Sequence, residues 1–290
     1  MYLDKIVIKT DTDIAKIILE SNFYFESLKD EVVVIVSPHP DDDVLGAGGI
    51  LYRLNKIGAI VYCITCTSGS HAVRDRDIQV LKRFWFEHSE ADQYVDNHYT
   101  DDYLKEYVRK SETKNAYYSL GISSTRTRFL NLEFYNNKTS DYKSDIKKMI
   151  DCLEDLRPTV LLVESGFGDP NETHQKCYAI VQNALEHISF NPNIVLYRSV
   201  WKSFSEEEAT LIFPFSKEVA EIKKNSILCH ASQLFPMFPG GDTSEFFQRA
   251  EQGDRNRGMK VNYRTDRNYA GAEYFVEVDK LPIALNFNIT

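Results

Sequence analysis

Residues 32–49, VVVIVSPHPDDDVLGAGG, constrain the fold of this chain more than any other stretch. Val32 to Val36 are five consecutive β-branched residues, the pattern of a strand buried on both faces. Ser37-Pro38-His39-Pro40 breaks that run, and Asp41, Asp42 and Asp43 follow. Leu45, Gly49 and Tyr52 then recur at helical spacing, with Leu51 and Leu54 beside them. The stretch therefore predicts a buried strand, a tight loop, and a helix from about Asp43 to Lys56 that Gly58 ends. Gly46-Ala47-Gly48-Gly49 lacks the GxGxxG spacing of a dinucleotide loop, so its expected role is close helix–sheet packing. A second apolar strand, Ala59 to Cys66, completes a βαβ unit with parallel strands and a right-handed crossover.

The rest of the chain repeats this alternation. A short strand (Lys5 to Lys9) and a helix from about Asp13 precede it. Residues 71–108, polar and aromatic, read as a mostly helical excursion above the sheet. Further helices are expected at Arg109 to Leu120, Lys143 to Leu156, Glu172 to Glu186, Ser216 to Cys229 and Phe246 to Asn256. Further strands are expected at Arg126 to Leu132, Thr159 to Glu164, Asn193 to Trp201 and Tyr274 to Val278. The expected fold is a single α/β domain over 1–290, Rossmann-like, with a mostly parallel sheet flanked by helices. Its active site should lie at the strand C-terminal ends, where ligands bind in such sheets.

Size and charge exclude several classes. A chain of 290 residues can bury about three quarters of its unfolded surface. The formal net charge of −9 speaks against a nucleic-acid partner, because such binding rests on phosphate neutralisation. The longest apolar run, around residues 59–66, is too short to span a bilayer, and the acidic N-terminus does not read as a signal peptide. Five cysteines, an odd number scattered through apolar segments, suggest reduced thiols and a cytoplasmic location. Cys63 and Cys66 form a CxxC inside a predicted strand, where residues three apart face opposite sides, so neither a redox pair nor a zinc knuckle is expected.

The chemistry concentrates in the first loop. His39, Asp41, Asp42 and Asp43 fall within five residues at a helix N-terminus, where free N–H groups and the helix dipole favour ionised carboxylates. Three aspartates alone would be a helix cap. The buried-type strand before them, the glycine-rich helix after them and the embedded histidine point instead to a metal loop. An imidazole and a carboxylate are two of the three protein ligands of an open catalytic zinc site. The loop ESGFGDPNETHQK follows another strand, so His174 should reach the same sheet edge and supply the third. Asp169 could orient His174 or simply turn its loop. His71 stands just past a strand end and is expected at the surface; His88, His98 and His187 lie in charged helical patterns and read as solvated. Asp242 and Arg249 could line a sugar pocket or be structural. No GxSxG elbow or Walker A loop is present.

SPHPDDDVLGAGG resembles the PHPDD signature of the PIG-L/LmbE-like N-deacetylases, zinc enzymes that remove acetyl groups from N-acetylglucosamine derivatives. TSGS resembles the family's loop after the second strand, Arg109 with Glu112 and Leu120-Gly121 its RxxE helix, GDPNETH its second histidine motif, and CHASQ its HxSQ motif. FPGGD and FFQRAEQGDRNRG are similar to deacetylase-like domains joined to glucosamine-6-phosphate deaminase-like proteins. The resemblance implies His39, Asp42 and His174 as ligands of zinc or another divalent metal, and Asp41 as general base. It implies His230, protonated in the mechanism, stabilising the oxyanion or polarising the acetyl carbonyl, and Arg109 contacting a substrate hydroxyl or phosphate. Asp43 is left to the helix start or to a place behind the ligands, and Ser232 and Gln233 either to fix His230 or to cap a turn. The chain departs from the family's HPDH-like motif at Asn171-Glu172-Thr173-His174, keeping the ligand histidine alone, and carries Ser70 where an acid is usual. The implied function is removal of acetyl from an N-acetylglucosamine-type amino sugar. A hydrolase of another small amide, and a non-catalytic sugar- or nucleotide-binding module, are the alternatives. A homo-oligomer is left open.

Overall fold

The first strand of the sheet, β1 (Val32–Ser37), is buried along almost its whole length, and its alternate residues feed two separate cores. Val34 and Val36 pack on one face of the sheet, Val33 and Ile35 on the other. This computed structural model describes residues 9–86, 100–137, 142–166, 172–235 and 243–282. The other strands are β2 (Ile60–Thr65), β3 (Thr127–Phe129), β4 (Val160–Glu164), β5 (Asn193–Tyr197), β6 (Leu211–Phe215) and β7 (Gly271–Val278), in the order β3-β2-β1-β4-β5-β7-β6. The pairings from β3 through β5 are parallel; those of β7 with β5 and β6 are antiparallel.

Helices cover both faces, as a parallel sheet requires. The first core takes Ile14 and Ile18 of α1 (Asp11–Glu26), Met149 and Leu153 of α6 (Lys143–Leu156), and Ile180 and Val181 of α7 (Glu172–Leu185). The second takes Leu45 and Ile50 of α2 (Asp42–Ile57), Ala116 and Tyr117 of α4 (Asp101–Ser119), and Ile227 of α8 (Lys217–Leu228). The remaining helices are α3 (Asp75–Phe86), α5 (Glu133–Asn137) and α9 (Phe246–Thr265). Cys63 belongs to the second core and Cys66 to the first, so the CxxC is split across the sheet as its spacing predicts.

The glycines of α2 set how closely it approaches its neighbours. A Cβ on Gly46 would stand 2.6 Å from the carbonyl oxygen of Arg198, and one on Gly48 would stand 3.0 Å from Lys223 Cγ. Beneath the helix, Lys223 Nζ lies 2.7 Å from Glu273 Oε1 and 2.8 Å from Asp254 Oδ2. Glu273 also accepts from the backbone N–H groups of Gly49 and Ile50, at 2.8 and 2.9 Å. One buried ionic cluster thus ties α2, α8, α9 and β7 together.

Several boundaries differ from expectation. β6 was not anticipated, because Pro214 interrupts its apolar run. The strand sits at the sheet edge and pairs only with β7, where a residue without an N–H is tolerated. Ser21 of α1 accepts from Ile212 N at 2.9 Å. α4 begins at Asp101, eight residues before Arg109, with Thr100 accepting from Tyr103 N as its cap. β5 ends at Tyr197 rather than Trp201, and α9 runs nine residues past Asn256. Most of the Lys5–Lys9 strand and the middle of the helical excursion lie outside the described residues.

The topology also selects the place of a site. From β1 the chain adds β2 and then β3 on one side, and β4 joins on the other. The order therefore reverses between β1 and β4, leaving a crevice at their C-terminal ends. The loop of His39 leaves β1 there, and α7, which carries His174, follows β4. Among the described residues no helix is long and apolar enough to cross a membrane.

Candidate metal centre and active site

Three donor atoms meet in that crevice. His39 Nδ1 lies 3.0 Å from His174 Nε2, and each nitrogen is 3.1 Å from Asp42 Oδ2. The set matches metal-ligand chemistry. Ligands about 2.1 Å from a tetrahedral ion sit about 3.4 Å apart, close to the edges of this triangle. The local sequence builds the triangle: His39 N donates to Asp42 Oδ2 at 2.9 Å, so the loop folds back on the first turn of α2. Burial opposes ionisation of Asp42, but His174 and His39 outweigh it and hold its carboxyl well below the usual carboxylate range.

Behind His174 stands Glu164, which sequence reasoning missed. Its Oε2 lies 3.3 Å from His174 Nδ1, and its Oε1 accepts from Ser199 N at 3.1 Å. A carboxylate there keeps the proton on Nδ1 and turns the Nε2 lone pair to the triangle. Burial and the neighbouring Asp42 charge both push Glu164 up. The donor set that a divalent cation fits is His39, Asp42 and His174, with Glu164 behind it on the far nitrogen of the His174 ring. Glu164 ends a strand that otherwise reads as pure core, and a buried acid at a strand C-terminus was the available signal. Asp169, which the sequence left between this part and a turn of its loop, lies outside the described residues, as do Asp242, His88 and His98.

Asp41 turns to the other side. Its Oδ2 accepts from Arg109 Nη2 at 2.8 Å. Burial raises its pKa, the Arg109 charge opposes that rise, and the result is about 6. Arg109 corrects an expectation. It is 1% exposed; its Nη1 and Nη2 bond Asp41, the Pro40 carbonyl at 2.5 Å and Glu112 Oε2 at 3.0 Å, and its Nε has no partner among the described residues. It holds the loop of Pro40 and Asp41 in place from within the fold. Gly69, at φ +63°, lets the TSGS loop pack on the same spot: a Cβ there would meet Pro40 Cδ at 2.6 Å and Arg109 Nε at 3.0 Å.

Asp43 is bound away from the histidines. Its carboxylate accepts from Tyr117 Oη at 2.8 Å, Cys63 Sγ at 3.1 Å and Val44 N at 2.9 Å. It anchors the helix start to α4 and β2; burial raises its pKa.

His230 is 2% exposed, and neither ring nitrogen has a hydrogen-bond partner among the described residues. Burial and then the nearby Arg109 charge hold its pKa well below 6.5. The ring is therefore neutral, not protonated as the resemblance suggested, and it keeps one N–H to donate. The turn carrying it is fixed through Ser232, not through the ring: Ser232 N and Oγ both donate to Glu112, and Gln233 Nε2 donates to Ser232 Oγ at 2.8 Å. His71 is exposed as expected, yet it stacks on Tyr135 at 4.4 Å, and Tyr135 stands edge-on to His39 at 6.0 Å. That pair walls one side of the crevice. His187 is exposed in the turn just past α7.

The family model described as PIG-L: GlcNAc-PI de-N-acetylase matches residues 34–185. That span includes His39, Asp41, Asp42, Arg109, Glu112, Glu164 and His174, and leaves out His230. A putative glucosamine-6-phosphate deaminase-like protein of Bacteroides thetaiotaomicron is 31% identical over 285 residues, covering 84% of this chain and 42% of the relative. The chain thus spans about two fifths of that relative's length. A probable N-acetyl-alpha-D-glucosaminyl L-malate deacetylase 2 of Bacillus subtilis is 24% identical over 208 residues, covering 70% of this chain and 83% of the relative. Among solved structures, an N,N'-diacetylchitobiose deacetylase from Pyrococcus horikoshii aligns with TM-score 0.59 and 16% identity, covering 94% of each chain. At that identity the likeness speaks for the fold.

Proposed function

This chain belongs to the PIG-L family of de-N-acetylases, and on that premise we propose that it is a metal-dependent hydrolase removing acetyl from an N-acetylated amino sugar, with zinc as the metal. The observation that carries the reading is the convergence of His39 Nδ1, Asp42 Oδ2 and His174 Nε2, which would hold the ion. A bound divalent cation supplies Lewis acidity, polarising an amide carbonyl and making water a nucleophile near neutral pH.

The chain's own groups do the rest. Asp41, with a pKa of about 6, is mostly ionised at pH 7 and takes the proton from the attacking water. Arg109 holds that carboxylate in one orientation. The neutral His230 donates its N–H to the oxygen of the acetyl carbonyl as charge develops, which gives one of its bare ring nitrogens a partner. Asp41 then returns its proton to the sugar nitrogen as the C–N bond breaks, so the amine leaves neutral and acetic acid, which loses its remaining proton to solvent, is the second product. Glu164 keeps His174 in the tautomer that presents Nε2.

Metal analysis and a free-amine assay on a panel of N-acetylglucosamine derivatives test this directly. Wild-type protein should carry a stoichiometric divalent metal and release amine from at least one derivative. Asp41→Ala should keep the metal and lose roughly a hundredfold or more in turnover, whereas His39→Ala should lose the metal. A protein that takes up no divalent metal on reconstitution would sink the proposal.

A further inference from the structure

His71 and Tyr135 stand beside the metal centre and take no part in the proposed chemistry. Their rings stack 18° from parallel. Steps of 6.0 Å from His39 to Tyr135 and 4.4 Å from Tyr135 to His71 put the His71 ring within about 10 Å of the His39 ring. Tyr135 is half-buried and His71 is exposed. One face of the His71 imidazole is therefore backed by the phenol, and the other is bare. Among the described residues the ring makes no hydrogen bond or ion pair, so the stack alone sets its orientation.

Each ring is carried by a segment with its own anchors. Gly69, at φ +63°, leads the chain after β2 into the tight turn Ser70–Ala72. Ala72 N donates to Gly69 O at 3.2 Å and Val73 N to Ser70 O at 3.1 Å. Val73 then packs with Ile78 and Leu104 in a small core of its own. On the other side, Leu130 N and Leu132 N donate to Thr65 O and Cys66 O at 3.0 and 2.9 Å, which ties the segment after β3 to the end of β2. The buried Asp145 of α6 accepts from Glu133 N at 2.6 Å and Phe134 N at 3.1 Å, at the start of the short helix that carries Tyr135. Rings held from two directions form a surface before any ligand arrives, and a ligand does not have to order it.

Such a surface suits a sugar ring. A pyranose carries hydroxyls round its rim and C–H bonds on its faces. The negative face of an aromatic ring attracts those C–H groups, and the contact buries apolar area. An open-chain amine with the same hydroxyls has no flat face to offer. Bond lengths place the centre of a pyranose roughly 4 Å from the carbonyl carbon of its 2-acetamido group. A sugar whose acetyl group lies at the metal centre therefore has its ring within reach of His71.

We propose that the outer face of His71 is the platform for the pyranose ring of the substrate, with Tyr135 as the positioning residue behind it. The inference rests on the deacetylase reading and deepens it: the enzyme selects the closed ring over open-chain N-acetyl amines, and this wall makes the selection. Calorimetry on the metal-loaded protein compares methyl glucosaminide with glucosaminitol, which carries the amine and hydroxyls without the ring. Wild type should bind the closed ring about fivefold or more tightly. His71→Ala should lose most of that preference, His71→Phe should keep it, and Tyr135→Leu should lower it. With methyl N-acetylglucosaminide, His71→Ala should raise KM about fivefold and leave kcat nearly unchanged, as loss of a contact made equally in ground and transition states does. Equal affinities in wild type, a preference that survives His71→Ala, a His71→Phe protein as weak as His71→Ala, or no sugar binding at all would overturn the platform. A full preference in Tyr135→Leu would overturn the role given to Tyr135. Failure of wild type to release amine from any acetylated sugar, with the ring preference present and lost in His71→Ala, would overturn the deacetylase reading alone, since the binding comparison needs no turnover.

Discussion

Glu112 accepts two hydrogen bonds from Ser232, one from the backbone N–H at 2.6 Å and one from the hydroxyl at 2.9 Å. The same carboxylate receives Arg109 Nη1 at 3.0 Å, and Arg109 reaches on to Asp41. Asp41, the proposed base, and the turn carrying His230 are thus two ends of one buried relay, although 189 positions separate them in the chain (41 to 230). Glu112 touches neither metal ligand nor substrate; it is a positioning residue. Glu112→Gln should keep the metal while lowering kcat about ten- to a hundredfold with little change in KM, because the carboxamide cannot accept from three donors as a carboxylate does. Metal analysis beside steady-state kinetics checks this; loss of metal, or a rise in KM alone, would refute it.

Glu164 makes a different prediction, about affinity and not turnover. Its carboxylate orients His174 from behind and balances charge at the centre. Glu164→Gln should weaken metal binding by roughly ten- to a hundredfold. Competition with a chelator of known affinity, read as residual metal content, measures it. Unchanged retention would mean that Ser199 and the surrounding packing suffice to set the imidazole.

The limits of the sequence are visible in these same residues. His39, Asp42 and His174 were legible because each stands at a strand-to-helix junction, and a parallel sheet brings such junctions to one edge. The orientation of Arg109 was not legible. A motif shows that an arginine recurs beside an acid, but not that both of its ends are spent on protein groups. Glu164 was hidden by its strand, since VLLVE reads as core until one knows that its last residue opens on the crevice. β6 was hidden by Pro214, whose tolerance depends on an edge position that only the topology reveals. The protonation of His230 depends on burial, which an isolated CHASQ cannot express.

That burial has a measurable consequence in metal-free protein. His230 has a folded pKa well below 6.5, with burial the main cause, Arg109 adding to it and Asp42 opposing it. Below pH 6.5 the unfolded chain binds a proton that the native chain refuses, so native stability falls as pH falls and is flat above that range. The loss approaches about 1.4 kcal/mol per pH unit once the unfolded imidazole is fully charged. Urea denaturation at pH 7.5, 6.0 and 5.0, with chelator present, should show wild type losing more stability than His230→Gln on acidification. Asp41, raised by burial, titrates in the opposite sense in part of this window, but it is present in both proteins. Parallel losses would show that His230 accepts a proton in the fold.

Lys223 carries the last prediction, on stability. It is 1% exposed, and its ammonium lies between Glu273 and Asp254. Asp254 keeps Arg257 if the lysine is removed, but Glu273 keeps only the two α2 amides as partners. Breaking a buried pair by deleting one partner leaves an uncompensated charge and costs about 3–5 kcal/mol. Lys223→Met should therefore destabilise strongly, with Glu273 taking up a proton to reduce the penalty. Adding Glu273→Gln should recover a good part of the loss, since a neutral amide oxygen can still accept from Gly49 or Ile50. A double-mutant cycle by urea denaturation measures the coupling. If the single substitutions add without interaction, the cluster is held by the packing of the Lys223 stem against Gly48 of α2 and not by the charge of Lys223.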